Sequence, residues 1–183
     1  MEIIGKHIKL VSVHSDDLDF ICRVECDPVL WSYEDEIESD TNAVRDSYLE
    51  KIAELEAGQA SCYDFLVTRT EDKHHTPIGL AQIWSYVEHR NSWEIGFATL
   101  PEYTGRNYGT EAAQLLLSFA FEQLSAHKVV GMCNSYNERS AALMERIGMT
   151  REAVFKEELF WQDRWVDQYF YSILEREYLG SSK

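Results

Sequence analysis

The chain has 183 residues, with 32 acidic against 17 basic side chains and a net charge of −15. That balance excludes a nucleic-acid footprint, which needs clustered Lys and Arg against phosphates. A composition of 45% hydrophobic and 13% aromatic residues excludes a disordered chain.

In chain order, the first residues Met1 to Lys6 lack the charged head, apolar core and small-residue cleavage site of a secretory signal. His7 to Val13 alternates as a strand. Asp16 and Asp17 then offer a helix N-cap before Leu18, Phe20, Ile21 and Val24, and Pro28 breaks that helix. Glu34 to Asp40 is dense in acid and reads as a solvated loop or short helix. Thr41 or Asn42 caps a helix that runs through Glu56 and ends near Gly58. Tyr63 to Thr68 is a strand, followed by a polar loop from Glu71 to Thr76. Ile78 to Val87 and Ser92 to Leu100 form a hairpin around His89-Arg90-Asn91. A long helix covers about Gly109 to Ala126, with Ala112, Leu116, Phe119, Ala120 and Leu124 at helical spacing. Lys128 to Cys133 is a strand and Glu138 to Ile147 a helix that stops at Gly148. Met149 to Phe160 and Trp165 to Leu174 close the chain as paired strands with a turn at Gln162-Asp163. The expected fold class is a mixed α/β (α+β) domain, mostly antiparallel, and residues 1–183 are expected to form one domain.

No apolar run is long enough to span a bilayer; the longest, around Leu115 to Phe121, is broken by Ser118. Cys22, Cys26, Cys62 and Cys133 are scattered without His or Cys partners at metal-ligand spacing, so reduced thiols, no metal and a cytoplasmic location are expected. His74 and His75 lie in a polar loop and read as surface residues.

The segment from Leu100 to Ala112 carries most of the chemistry. It joins a predicted strand to the long helix. Gly105 and Gly109 reach backbone conformations closed to other residues, and Asn107 tolerates positive φ. Successive amides in such a loop can cradle phosphate oxygens, and the helix N-terminus adds unpaired N–H groups. An ordinary glycine-containing turn fits the same residues. The segment has neither the Gly-Lys-Ser/Thr of a nucleotide P-loop nor the three-glycine dinucleotide fingerprint.

This run resembles the acyl-CoA loop of the GNAT superfamily of N-acetyltransferases, whose pattern is Gln or Arg, two residues, Gly, one residue, then Gly or Ala. Laid over Thr104 to Gly109, only Gly109 matches strictly; Thr104 replaces Gln or Arg, and Asn107 replaces the middle Gly. Glu94-Ile95-Gly96-Phe97, Thr110-Glu111-Ala112, Asn137-Glu138-Arg139-Ser140, Ile147-Gly148-Met149 and the closing Trp165-Val166-Asp167 are similar in order and spacing to the RimJ/RimL type, the ribosomal-protein N-terminal acetyltransferases.

The resemblance implies a GNAT fold with a mostly antiparallel central sheet flanked by helices. It implies acetyl-CoA as cosubstrate, held by Phe97, Ala98, Thr99, Thr104, Gly105, Arg106, Asn107, Tyr108, Gly109, Thr110, Asn137 and Ser140. The amine acceptor is a protein N-terminal α-amine, a polyamine or a small amine, and the acidic surface favours a cationic one. Glu94 is the first candidate for general base. Glu158 is its rival, one position off and therefore on the opposite face of its strand. Many such enzymes use a Tyr where this chain has Met144, which leaves Ser140 as the nearest polar group to meet the departing thiolate. Trp84, Tyr86, Trp161 and Trp165 are either core residues or walls of the acceptor pocket. A non-catalytic acyl-CoA-binding or regulatory module on the same fold is the alternative. No membrane partner is expected, and the oligomeric state stays open, a homodimer included.

Overall fold

The computed structural model describes residues 1–181. Eight strands form one sheet: β1 (Glu2–Ile4), β2 (Ile8–Ser12), β3 (Cys62–Arg69), β4 (Pro77–Val87), β5 (Ser92–Thr99), β6 (Lys128–Asn134), β7 (Thr150–Trp161) and β8 (Arg164–Leu174). Their order across the sheet is β1-β2-β3-β4-β5-β6-β8-β7. Every pairing is antiparallel except β5 with β6, which needs a helical crossover between its strands. The helices are α1 (Leu18–Glu25), α2 (Thr41–Glu56), α3 (Tyr108–Glu122), α4 (Glu138–Arg146) and α5 (Glu175–Ser181).

The strand alternation sorts two cores onto two faces. Phe65 and Val67 of β3 and Ala81 and Ile83 of β4 pack with Leu116, Leu117 and Phe119 of α3 and with Met144 ahead of the α4 end. Leu66 and Leu80, one residue out of phase, pack on the other face against Leu18, Ile21 and Val24 of α1 and Val44 and Tyr48 of α2. β3 is buried on both faces for this reason, and no helix in the described residues is long and apolar enough to cross a membrane.

Several boundaries differ from the sequence expectation. β1 and α5 went unread. The N-cap of α2 is Asp40, whose carboxylate accepts the N–H groups of Asn42 (2.9 Å) and Ala43 (3.3 Å), and not Thr41 or Asn42. α3 ends at Glu122, because Ser125 turns left-handed (φ 52°) before Ala126.

Candidate active site

β5 and β6 pair only over Ser92–Lys128, Trp93–Val129 and Glu94–Val130. Beyond Glu94 the two strands part, while each stays bonded on its outer side, β5 to β4 and β6 to β8. The inner edges of Ile95 to Thr99 and of Gly131 to Asn134 therefore face a gap rather than a strand. A cleft of about 1310 Å³ opens there, large enough for two substrates, and it is reached from both faces of the sheet.

On the α3 and α4 face the gap ends at the loop before α3. Gly105 has φ +76° and Asn107 φ 63°, both left-handed, so the turn needs residues that tolerate that region. Asn107 caps α3 without a side-chain bond, and the first intrahelical bond runs from the Glu111 N–H to the Asn107 carbonyl (3.0 Å). The preceding amides of Tyr108, Gly109 and Thr110 thus have no acceptor among the described residues, and the positive end of α3 faces the cleft. Gly109 sits where a Cβ would lie 3.4 Å from the Thr99 hydroxyl, so strand and helix meet closely around this opening. Across the gap, Asn137 caps α4 by accepting the Ser140 N–H (3.1 Å), which leaves its Nδ2 group to donate elsewhere. The Ser140 hydroxyl lies beside the thiol of Cys133.

On the α1 and α2 face the cleft is acidic. Trp84 and Glu94 are direct partners across β4 and β5, and Trp84 Nε1 donates to Glu94 Oε2 at 3.2 Å. Burial pushes the Glu94 carboxyl up to about 7; the Trp84 bond opposes that shift and nearby Glu34 adds to it. Glu34 is itself raised by loss of hydration at its carboxyl and by Asp35, although the residue as a whole is exposed. Deeper in, Gln82 Nε2 reaches Tyr48 Oη (2.8 Å), Asp64 Oδ1 (2.8 Å) and Glu25 Oε1 (3.2 Å), and Tyr48 donates to Glu25. Burial raises Glu25 against those hydrogen bonds. The irregular segment 27–40 closes this side. Trp161 pins it by donating to the Ser32 carbonyl (2.8 Å), and Asn134 Nδ2 donates to the Tyr33 carbonyl (3.0 Å).

The expected residues Glu94, Phe97, Ala98, Thr99, Thr104, Gly105, Asn107, Tyr108, Gly109, Thr110, Asn137 and Ser140 all line this one cleft. Two do not join them. Arg106 is exposed and forms no part of the wall. Glu158 is exposed on β7 beyond the cleft, where the register breaks between Phe155 and Leu159 and the strand carries its side chains outward. Of the aromatics, Trp84 lines the cleft, Trp161 is a buried clamp, and Tyr86 and Trp165 are exposed. The sequence reading missed Glu25 and Gln82 as lining residues. Gln82, Trp84 and Glu94 share a face across a hairpin, and that alternation was the available signal. The four cysteines are free thiols, and no cluster of His, Cys, Asp or Glu among the described residues could hold a metal ion.

The family model of the acetyltransferase (GNAT) domain matches residues 7–150. The uncharacterised N-acetyltransferase YnaD of Bacillus subtilis (strain 168) is 36% identical over 88 residues, 48% of this chain and 52% of that protein, so the match spans about half the length of each. A crystal structure of a GNAT-family acetyltransferase from Bacillus anthracis superposes with a TM-score of 0.80 at 25% identity, over 96% of this chain and 99% of that one. Spermidine N-acetyltransferase from Vibrio cholerae, solved in complex with CoA and spermine, superposes with a TM-score of 0.83 at 24% identity, over 94% and 98%.

Proposed function

This chain belongs to the acetyltransferase (GNAT) family, and from that premise we propose that it carries acetyl from acetyl-CoA to a cationic amine by direct attack. The observation that carries the reading is the parting of β5 and β6 immediately after Glu94, which sets a desolvated carboxylate between a cofactor-side opening and an acidic acceptor-side opening. The pyrophosphate of acetyl-CoA fits the free amides of Tyr108, Gly109 and Thr110. Its pantetheine arm fits the unpaired inner edge of β5 from Ile95 to Thr99, with Asn137 Nδ2 opposite.

The acceptor enters as an ammonium from the side of Glu25, Glu34, Glu36 and Glu38. Ionised Glu94, directly or through a water, takes a proton from it. The amine lone pair then attacks the thioester carbonyl carbon, the nitrogen gives up its second proton, and the tetrahedral oxyanion collapses with cleavage of the C–S bond, that proton passing to the sulfur so that CoA leaves as the thiol. Ser140 donates a hydrogen bond to the departing thiolate. Most of the rate enhancement is then alignment of two bound substrates. Cys133 is the one thiol in the cleft wall, and burial pushes it up to about 11 despite the Ser140 hydroxyl beside it. Burial thus keeps the thiol protonated at neutral pH, which argues against an acyl-cysteine intermediate.

The family resemblance admits a protein N-terminus, a polyamine or a small amine as acceptor. The carboxylates of the acceptor side favour one with charge beyond the reacting nitrogen, and the spermidine acetyltransferase supports a polyamine. The free cysteines fit a reducing cytoplasm. The test is a thiol-release assay with acetyl-CoA over polyamines, basic N-terminal peptides and neutral small amines. Release with cationic acceptors at least about tenfold faster than with neutral ones is expected. Acetyl-CoA binding without release on any amine would leave a non-catalytic acyl-CoA-binding module.

A further inference from the structure

At Asn107, Thr110 and Arg146 the cleft shares its wall with a second, smaller hollow of about 470 Å³. Its far side is the turn after β1, with Gly5 and Lys6, and its floor is the outer face of the first turns of α3 at Glu111 and Gln114. Two cations therefore face one hollow in a protein where acidic side chains outnumber basic ones 32 to 17. Neither has a carboxylate partner among the described residues. The one hydrogen bond of the Arg146 guanidinium runs to Thr110 Oγ1 at 3.3 Å, and Lys6 has none. The acid in the hollow, Glu111, is turned to the backbone: its Oε1 accepts the N–H groups of His7 (2.8 Å) and Ile8 (3.3 Å). Both cations are exposed, so binding there is open to solvent and sensitive to salt.

The ligand chemistry that suits a guanidinium and an ammonium beside a phosphate loop is a second phosphate. Arg offers a planar fork to its oxygens and Lys a point charge. In acetyl-CoA the adenosine end carries such a group, a dianionic monoester on the ribose, beyond the pyrophosphate. We propose that Lys6 and Arg146 form a subsite for the ribose 3′-phosphate of CoA, so that the protein discriminates CoA from dephospho-CoA. The inference rests on the reading of the 104–110 loop as the pyrophosphate site. It also explains how a chain of charge −15 admits a polyanion: local cations line the route by which the adenosine end leaves the cleft.

The experiment is a comparison of CoA and dephospho-CoA binding by calorimetry to the wild type, to Lys6→Ala, to Arg146→Gln and to the double variant, at low and high salt. The wild type is expected to hold CoA about tenfold or more tighter than dephospho-CoA at low salt, with the margin shrinking at high salt. The double variant is expected to bind the two alike, at the affinity the wild type shows for dephospho-CoA. Equal wild-type affinity for both ligands overturns the subsite. So does a double variant that keeps the full discrimination, because the phosphate is then held elsewhere. A wild type that binds neither ligand overturns instead the reading of the loop on which the subsite rests.

Discussion

At the scale of single residues, Glu94, the proposed base, sets stability against the chemistry asked of it. Its folded value of about 7 lies well above that of a free carboxylate, and burial is the main cause. Between about pH 4.5 and 7 the unfolded chain has released this proton while the folded one retains it, so stability falls as pH rises through that window. Above pH 7 both states are ionised and the full desolvation penalty is present. Glu94→Gln removes that charge and keeps the shape. The variant should be more stable than the wild type at pH 8, by on the order of 1–3 kcal/mol, and no more stable at pH 4, where the Glu94 carboxyl is mostly neutral in both the folded and the unfolded wild type. Its turnover should fall by roughly ten- to a thousandfold with acetyl-CoA affinity unchanged. Wild-type kcat/KM should rise through pH 7 as Glu94 ionises, and that rise should flatten in the variant. Denaturant melts at the two pH values and a pH–rate profile check these points together; a variant with wild-type turnover and profile removes Glu94 as base.

At the scale of elements, the acceptor side depends on how the β7–β8 hairpin holds segment 27–40. Trp161 lies between Tyr33 and Tyr136, with ring centroids 5.6 and 5.5 Å away, and its indole N–H fixes the Ser32 carbonyl. Arg164 caps the stack over Tyr136 at 4.4 Å. Trp161→Phe keeps a ring and loses the hydrogen bond; Trp161→Ala loses both. The acceptor KM should rise a few-fold in the first and by about tenfold or more in the second, with acetyl-CoA affinity within about twofold of wild type in each. A parallel loss of acetyl-CoA binding would mean that the clamp supports the whole cleft and not the acceptor side alone. This clamp was not legible in the sequence, because residues more than a hundred positions apart form it and no local period announces it. The long elements were legible: α2, α3, the β4–β5 hairpin and the final strand pair follow from apolar spacing and turn residues. β1 is three residues long and α5 is short and charged, so neither shows a period. The site was half legible. Gly105 and Asn107 announce a left-handed loop before a helix by composition alone, whereas Gly109 lies inside α3 without positive φ, and Glu25 and Gln82 join the cleft wall only once α1 is laid against β4.

At the scale of the molecule, the cleft is bipolar, and its two openings should respond to salt in opposite directions. Glu25, Glu34, Glu36, Glu38 and Glu94 line the acceptor side, and all share the sign of the net charge of −15. A cationic acceptor is therefore drawn both by the whole protein and by the opening it uses. On the proposed reading acetyl-CoA meets a repulsive far field and is held only at short range, by the free amides before α3 and by Lys6 and Arg146 at the adjoining hollow. Added salt shortens the Debye length to about 10 Å at 0.1 M, which weakens steering between exposed charges more than contacts already made. The acceptor KM should therefore rise with salt, while the association rate of acetyl-CoA should hold or increase slightly as the far-field repulsion is screened. Changing Glu34, Asp35, Glu36 and Glu38 to their amides reduces the attraction at its source. In that variant the acceptor KM should start several-fold higher at low salt and lose most of its salt dependence, with turnover at saturating acceptor kept within about threefold. Steady-state kinetics over a series of salt concentrations, with a dication and a neutral amine side by side, separates the effect from general ionic-strength damage, because only the dication should respond. If the dication shows no salt dependence in the wild type, the acidic segment serves solubility and the acceptor is recognised by contact alone.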